Sequence, residues 1–206
     1  MNVTVAVTGA SGAVLAKQLL RALEADTRVT GIDFVVSEGS LRVIAEELHL
    51  SGRNELLEKL LEHAPKKTRQ HAEQDIGASI ASGSYPSAGM IVLPCSMGTL
   101  GGIANGMAGN LIERAADVCL KERRPLLLCV RETPFNKIHL RNMQLAADAG
   151  ATIFPVIPSF YNEPATTADM VRSFVDRVLA HFGLPQPGAY VWNPGAQEQN
   201  RRAGKH

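Results

Sequence analysis

Val5-Ala6-Val7-Thr8-Gly9-Ala10-Ser11-Gly12-Ala13 joins a short apolar strand to a helix through a loop of small residues. Val3, Val5 and Val7 alternate up to Gly9, and Leu15, Leu19, Leu20 and Leu23 then fall at helical spacing. The loop between them has room for a phosphate, whose oxygens reach a backbone only where side chains are absent or tiny. The helix that follows offers N–H groups and the positive end of its dipole. Such a loop names a ligand class and leaves the reaction open.

Outward from this stretch the alternation repeats. Ile32–Val36 reads as a strand ending at Ser37, with a helix around Leu41–Leu48. Residues 53–75 read as a charged helical stretch broken at Pro65, and Met90-Ile91-Val92-Leu93-Pro94 as a strand buried on both faces. Strands are expected at Leu126–Val130 and Thr152–Val156, and helices near Leu111–Lys121, Lys137–Ala149 and Thr167–Phe182. Strands alternating with helices imply an α/β fold with a parallel sheet covered on both faces. In such sheets ligands lie outside the carboxyl ends of the strands. Those ends are Thr8–Ala13, Ser37, Pro94–Thr99, Arg131-Glu132 and Pro155–Tyr161, each rich in small, hydroxylic or charged residues.

The chain has 206 residues, 45% of them hydrophobic, which fits one domain with a full core. Residues 1–194 are expected to form that domain, and the polar residues 195–206 a mobile tail. Twenty-one Lys and Arg against twenty Asp and Glu give a net charge of +1, so neither nucleic acid nor an anionic membrane is an expected partner. No apolar run approaches the roughly 20 residues that span a bilayer. The sequence enters its first strand without a charged leader, and the expected location is cytoplasmic. Cys95, Cys119 and Cys129 sit in apolar sequence without CxxC spacing, which argues against disulfides, a redox pair or a metal site.

A GxxG loop after a first strand serves many nucleotide binders. A dinucleotide-dependent dehydrogenase would want a glycine near Leu15 or Ala16 and an acid closing the second strand, where this chain has Ser37 followed by Glu38. A short-chain reductase would place Lys four residues after a Tyr, but Tyr85, Tyr161 and Tyr190 are followed at that offset by Gly89, Ala165 and Pro194. The loop Pro94-Cys95-Ser96-Met97-Gly98-Thr99-Leu100-Gly101-Gly102 suits a bulky ligand lying against backbone, and Ser96 also suits a helix N-cap.

Several motifs in order then carry a more specific likeness: Thr8-Gly9-Ala10-Ser11-Gly12-Ala13, Ser82-Gly83-Ser84, Pro94-Cys95-Ser96-Met97-Gly98-Thr99-Leu100, Asn110 to Val118, Leu120 to Leu126, Arg131-Glu132-Thr133-Pro134 and Pro158-Ser159-Phe160-Tyr161. Over almost its whole length the sequence resembles the flavin prenyltransferases of the UbiX type. The resemblance implies a Rossmann-like, doubly wound, three-layer α/β/α flavoprotein fold, FMN as the bound flavin, and a homo-oligomer, typically a dodecamer. It implies transfer of a dimethylallyl group from dimethylallyl monophosphate to N5 and C6 of reduced FMN. The prenylated FMN so formed serves a UbiD-type decarboxylase as cofactor.

Carried over by position, Gly9, Ala10, Ser11, Ser37, Ser96, Met97, Gly98, Thr99 and Arg131 would bind FMN. Arg114, Lys121, Arg131, Glu132, Tyr161 and Arg177 would hold the prenyl phosphate, Tyr161 and Arg177 coming from a neighbouring subunit. Ser11, Glu47, Lys121 and Glu132 would form the catalytic set, Ser11 and Glu47 moving protons beside the flavin. Fixed cations with a phenol can stabilise a leaving phosphate without a metal. Prenyl-transferring enzymes that use diphosphates hold Mg²⁺ on paired aspartates, and this chain has no Asp-Asp pair.

Read without the family, Arg114 and Lys121 would be a solvated helix stripe and Arg177 a surface residue; Trp192 matches a family tryptophan and is expected to pack the tail against the oligomer. The chain departs from the family pattern at Leu15-Ala16, at Glu38 beside Ser37, and at Tyr85, whose ring could shield an allylic cation. Two other readings compete: FMN-dependent oxidative decarboxylation of cysteinyl substrates, as in a related flavoprotein family of this fold, and non-enzymatic flavin carriage to a partner decarboxylase. The first would want a Pro-Ala-Ser-Ala-Asn-Thr type segment, where this chain reads Asn105-Gly106-Met107-Ala108-Gly109-Asn110.

Overall fold

A computed structural model of the chain describes residues 1–50, 52–53 and 55–191. Trp192 and the expected tail, 195–206, lie outside them, as does the end of the expected domain 1–194. The chain divides into two compact units, Met1–Pro158 and Ser159–His206. The first runs β1 (Asn2–Val7), α1 (Ala13–Ala25), β2 (Gly31–Val36), α2 (Glu38–Leu48), α3 (Leu56–Leu61), β3 (Thr68–His71), a 3-10 turn (Ser79–Ala81), β4 (Met90–Cys95), α4 (Met97–Ala104), α5 (Leu111–Lys121), β5 (Leu126–Val130), α6 (Lys137–Asp148) and β6 (Thr152–Ile153). The second holds α7 (Thr167–His181).

The six strands form one parallel sheet in the order β3-β2-β1-β4-β5-β6. The order reverses between β1 and β4, and that switch point opens a crevice at the carboxyl ends. Central strands are buried on both faces because helices cover both. Ala6, Val35, Met90, Val92, Leu126, Leu128 and Val130 share one core with Leu100 and Ile103 of α4 and Leu111, Ile112, Ala115, Ala116 and Cys119 of α5. Alternate residues such as Val5 and Ile91 turn to the other face, where α1 packs on β1 and β4. Each large aliphatic side chain buried in this way contributes about 1.5–3 kcal/mol.

α5 illustrates how the sequence sets an element. The Asn110 side chain accepts the Glu113 N–H at 2.9 Å as N-cap. Apolar residues at helical spacing bury one stripe and leave Arg114, Asp117 and Lys121 on the other. Lys121 closes the last turn, where a cation meets the negative end of the dipole.

The helical expectation for 53–75 is corrected by the structure: only Leu56–Leu61 is helical, and Thr68–His71 is the edge strand β3. Polar side chains hide this strand, since its anchors are charges. Glu24 of α1 accepts the Thr68 hydroxyl at 2.6 Å and the Thr68 and Lys67 N–H groups at 2.9 and 3.0 Å. Asp33 of β2 receives Arg69 at 3.1 Å and His71 at 2.7 Å. The expected last strand, Thr152–Val156, is regular only at Thr152–Ile153. Its pairing continues nonetheless, the Phe154 and Val156 N–H groups donating to Leu128 and Val130 at 2.9 Å each.

Candidate functional site

At the switch point Thr8 ties the β1 and β4 loops together. Its N–H and its hydroxyl both donate to the Pro94 carbonyl, at 3.1 and 2.9 Å, and the hydroxyl oxygen accepts the Ser96 N–H at 2.7 Å. Thr8 is 1% exposed, so its hydroxyl bond to Pro94 is dry, and with the half-buried bond from Ser96 it fixes the relative position of both loops. On the other side the β1 and β2 loops touch backbone to backbone, and a Cβ on Gly9 would lie 3.3 Å from the Gly39 carbonyl carbon.

Three helices begin at this edge. Ser37 caps α2 by accepting the Ser40 N–H at 3.2 Å, and Ser96 caps α4 by accepting the Thr99 N–H at 3.3 Å. The Ser96 hydroxyl also meets that of Thr99 at 3.1 Å. α1 is different. The expectation that its first N–H groups stand open to a phosphate is corrected: the Glu47 carboxylate accepts the Gly12 N–H at 3.0 Å and the Ala13 N–H at 2.8 Å. A carboxylate is stabilised there by the same dipole that would attract phosphate. It also brings Glu47 beside Ser11, the exposed loop residue next to Gly12. At α2 the Glu73 carboxylate accepts the Glu38 N–H at 2.9 Å, while Glu38 pairs with Arg53. Among the described residues, α4 alone of the three helices carries no carboxylate on its first turn. Beside its N-terminus Gly98 faces open space, with nothing within 4 Å of a Cβ built there.

Arg131 and Glu132 follow β5 at the same edge, the Arg131 N–H donating to the Cys95 carbonyl at 3.2 Å and Glu132 accepting the Thr133 N–H at 2.9 Å. Both are exposed. Arg114 and Lys121 lie elsewhere on this unit. α5 ends at Lys121, and the turn after it leads to Pro125, whose carbonyl accepts the N–H of Met90 at the opposite edge. The length of β5, about 15 Å, therefore separates Lys121 from Glu132 within one chain. Arg114 is turned to Asp117 at 2.8 Å and to the Ala81 carbonyl at 3.2 Å.

In the second unit the Arg177 guanidinium donates to the Tyr161 hydroxyl at 3.0 Å. Both line a cavity of about 200 Å³ with Ser159, Asp176, Gln186 and Tyr190. Burial pushes the Asp176 carboxyl above its ordinary value, against the nearby Arg172. The expected sites thus fall into three groups: Gly9–Ser11, Ser37, Glu47, Ser96–Thr99, Arg131 and Glu132 at one edge; Arg114 and Lys121 along α5; Tyr161 and Arg177 beside α7.

Sequence reading did not find Thr8 as the clasp, Gly39 as the contact of Gly9, or Asp33. The last left a signal, a lone acid inside the apolar strand Gly31–Val36. Asp33 accounts for the position of Tyr85, whose hydroxyl donates to it at 2.8 Å while its half-buried ring packs against the core. Burial pushes the Cys95 thiol up to about 12 and the Cys119 thiol to about 11, and raises that of Cys129, which leaves all three as core packing. Among the described residues no group of three or more His, Cys, Asp or Glu could hold a metal ion, and no helix is long and apolar enough to cross a membrane.

Comparison with known proteins adds a lineage to this geometry. The family profile described as Flavoprotein matches residues 1–181. The flavin prenyltransferase UbiX of Salmonella typhimurium is 45% identical over 183 residues, covering 89% of this chain and 92% of that protein. A dodecameric FMN-dependent UbiX-like decarboxylase from Escherichia coli O157:H7 superposes with a TM-score of 0.84 at 42% identity, covering 94% of this chain and 100% of the other. AnUbiX, solved in complex with FMN and dimethylallyl pyrophosphate, superposes at 0.83 with 40% identity over 93% and 97%.

Proposed function

We infer the activity from one premise: the chain belongs to the flavoprotein family and, within it, to the flavin prenyltransferases of the UbiX type. It joins the dimethylallyl group of dimethylallyl monophosphate to N5 and C6 of reduced FMN, giving prenylated FMN for a UbiD-type decarboxylase. The observation that carries this reading is the convergence at one sheet edge of Ser11 with Glu47, the Ser96–Thr99 turn, and Arg131 with Glu132. Residues 1–194 are read as one flavoprotein domain. A cytoplasmic location belongs to the reading, in keeping with three free thiols and a flavin that must stay reduced.

The edge fits FMN. Gly98 leaves a space beside the uncovered α4 N-terminus, Ser37 and Ser96 present hydroxyls, and small residues at Gly9 and Ala10 allow close approach. Ser37, Ser96, Met97, Gly98 and Thr99 would hold the phosphate side, and Gly9, Ala10, Ser11 and Arg131 the remainder. Bound there in reduced form, FMN supplies nucleophilic ring positions. The chain's residues manage charge and protons. As the donor's C–O bond breaks, its electron pair stays with the phosphate, and Arg114, Lys121, Arg131, Arg177 and the Tyr161 hydroxyl would receive the charge. Ser11 and Glu47 would accept a proton at the flavin edge, and Glu132 would hold one at the phosphate. Four cations and a phenol take the place of the Mg²⁺ that diphosphate-using enzymes employ.

Lys121 and Glu132 of one chain stand at opposite edges, so on this reading neighbouring copies would complete the group that holds the phosphate. The reading is therefore a homo-oligomer, a dodecamer like the Escherichia coli relative. Exposed apolar residues around α6, Phe135, Ile138 at 67% and Leu140 at 53%, provide surface for such contacts. Anaerobic incubation with reduced FMN and dimethylallyl monophosphate is expected to give a flavin heavier by one C5H8 unit. An unaltered flavin mass, with the diphosphate donor also tried, would contradict the reading.

A further inference from the structure

The segment Ala81–Tyr85, which carries Ser82-Gly83-Ser84, is tied down along its length. Arg124 donates from one guanidinium nitrogen to the Tyr85 carbonyl at 2.9 Å and from the other to the Gly83 carbonyl at 2.5 Å. Arg114 reaches the Ala81 carbonyl at 3.2 Å, Asp33 holds the Tyr85 hydroxyl at 2.8 Å, and the Ser82 and Ser84 hydroxyls meet at 3.0 Å. Lys121 lies over this braced strip. Its ammonium donates to the Glu122 carboxylate at 2.5 Å, and both tips rest against the bare backbone of Gly83. A Cβ on Gly83 would come within 2.6 Å of Lys121 Nζ and closer still to Glu122 Oε1. The hydrogen bond from Lys121 is the first cause holding the Glu122 carboxyl below its usual range, so Glu122 stays charged beside the ammonium.

We propose that Glu122 is a positioning residue for Lys121, and that Gly83 is the seat on which the two are held. The inference rests on the reading that Lys121 receives the donor phosphate. A lysine ammonium sits on a flexible four-carbon stem and loses rotamer freedom when it binds an anion. Glu122 and the strip take that freedom away beforehand, which is preorganisation in the sense that matters for a leaving group. Arg124 acts one step further back, by fixing the carbonyls of Gly83 and Tyr85. An exposed ion pair of neighbouring residues contributes little to fold stability. Its loss is therefore read at the donor and not in the melting of the protein.

The test is a double-mutant cycle on the full chain with reduced FMN and dimethylallyl monophosphate, using Glu122→Ala, Lys121→Ala and the pair. Glu122→Ala is expected to raise the donor KM about tenfold, the scale of one charge-assisted hydrogen bond. FMN affinity and Tm stay unchanged, and Glu122→Asp recovers most of the loss. Glu122→Ala adds nothing where Lys121 is already Ala. If Lys121→Ala turns over too slowly, the same cycle is read on the donor Kd by calorimetry. Gly83→Ala gives a similar rise in KM with the fold intact, because the two side-chain tips can swing aside. Additive losses in the cycle, or an unchanged KM in Glu122→Ala, would overturn the proposal while leaving prenyl transfer standing. A wild-type protein that leaves the flavin unaltered overturns the prenyl-transfer reading and this inference with it.

Discussion

The loops at the carboxyl ends of β1 and β4 and the exposed face of α5 are both assigned to phosphate-bearing ligands, but they are built in opposite ways. The first is a main-chain structure: Thr8, Pro94 and Ser96 are joined by hydrogen bonds within the loops, and the Glu47 carboxylate closes the end of α1. The second consists of long side chains on a helix surface, with Lys121 steadied by Glu122 and Arg114 by Asp117. Backbone geometry is fixed by one chain folding alone. Surface cations become a site only when something brings their counterparts to them. On the proposed reading, the difference teaches that each chain would build the flavin half of the site by itself, whereas the prenyl-phosphate half would need the assembly.

The comparison breaks most visibly at the residues proposed to meet the donor phosphate. Lys121→Ala and Glu132→Ala should each lower prenyl transfer by about 10²–10³-fold, the cost of removing a cation that stabilises developing charge or a carboxyl that holds a proton beside it. FMN affinity, followed by flavin fluorescence, should not change. At the flavin half the dependence is reversed. Gly98→Leu fills the space beside the α4 N-terminus and should weaken FMN about 10–100-fold by calorimetry, with Tm unchanged or slightly raised because Leu exceeds Gly in helix propensity. An unweakened flavin would move the phosphate away from α4.

Thr8→Val tests whether the clasp is structural as well as positional. It leaves the half-buried Ser96 N–H without its acceptor, and the expected loss is about 1 kcal/mol, read by urea unfolding. The smallest effect is expected away from both ligands. Burial raises the Glu24 carboxyl, but the Thr68 hydroxyl and the Lys67 and Thr68 N–H groups outweigh it and hold Glu24 below its ordinary 4.5. A depressed folded value means the stabilisation is present above about pH 4.5 and is lost as pH falls through that lower value. Glu24→Gln should flatten this part of the acid limb in a stability-against-pH series and loosen β3.

Those regions also differ in how far the sequence discloses them. Leu111–Lys121 is expected and observed with the same ends, because Asn110 caps it and its apolar residues keep helical spacing. Ser96 is visible as a cap for the same local reason, whereas Ser37, which caps α2, reads in the sequence only as a strand end. α4 was legible only at its cap, since Gly98, Gly101 and Gly102 weaken any helical pattern. β3 was not legible, because its anchors, Glu24 and Asp33, lie more than thirty residues away. Glu47 on the α1 N-terminus was hidden in the same way: the loop advertises an anion site, and only the tertiary fold reveals that a carboxylate of the chain already sits there. Motif order supplied the names of Lys121 and Glu132, and geometry supplied their separation.

That separation makes a direct test possible. Lys121→Ala and Glu132→Ala chains, each nearly inactive alone, are co-expressed under different affinity tags, and oligomers carrying both tags are assayed with reduced FMN and dimethylallyl monophosphate. If neighbouring copies complete the phosphate site, mixed oligomers contain junctions with both residues intact, and prenyl transfer returns well above either parent. Mixed oligomers no more active than their parents would show that one chain must supply Lys121 and Glu132 together, contradicting the account.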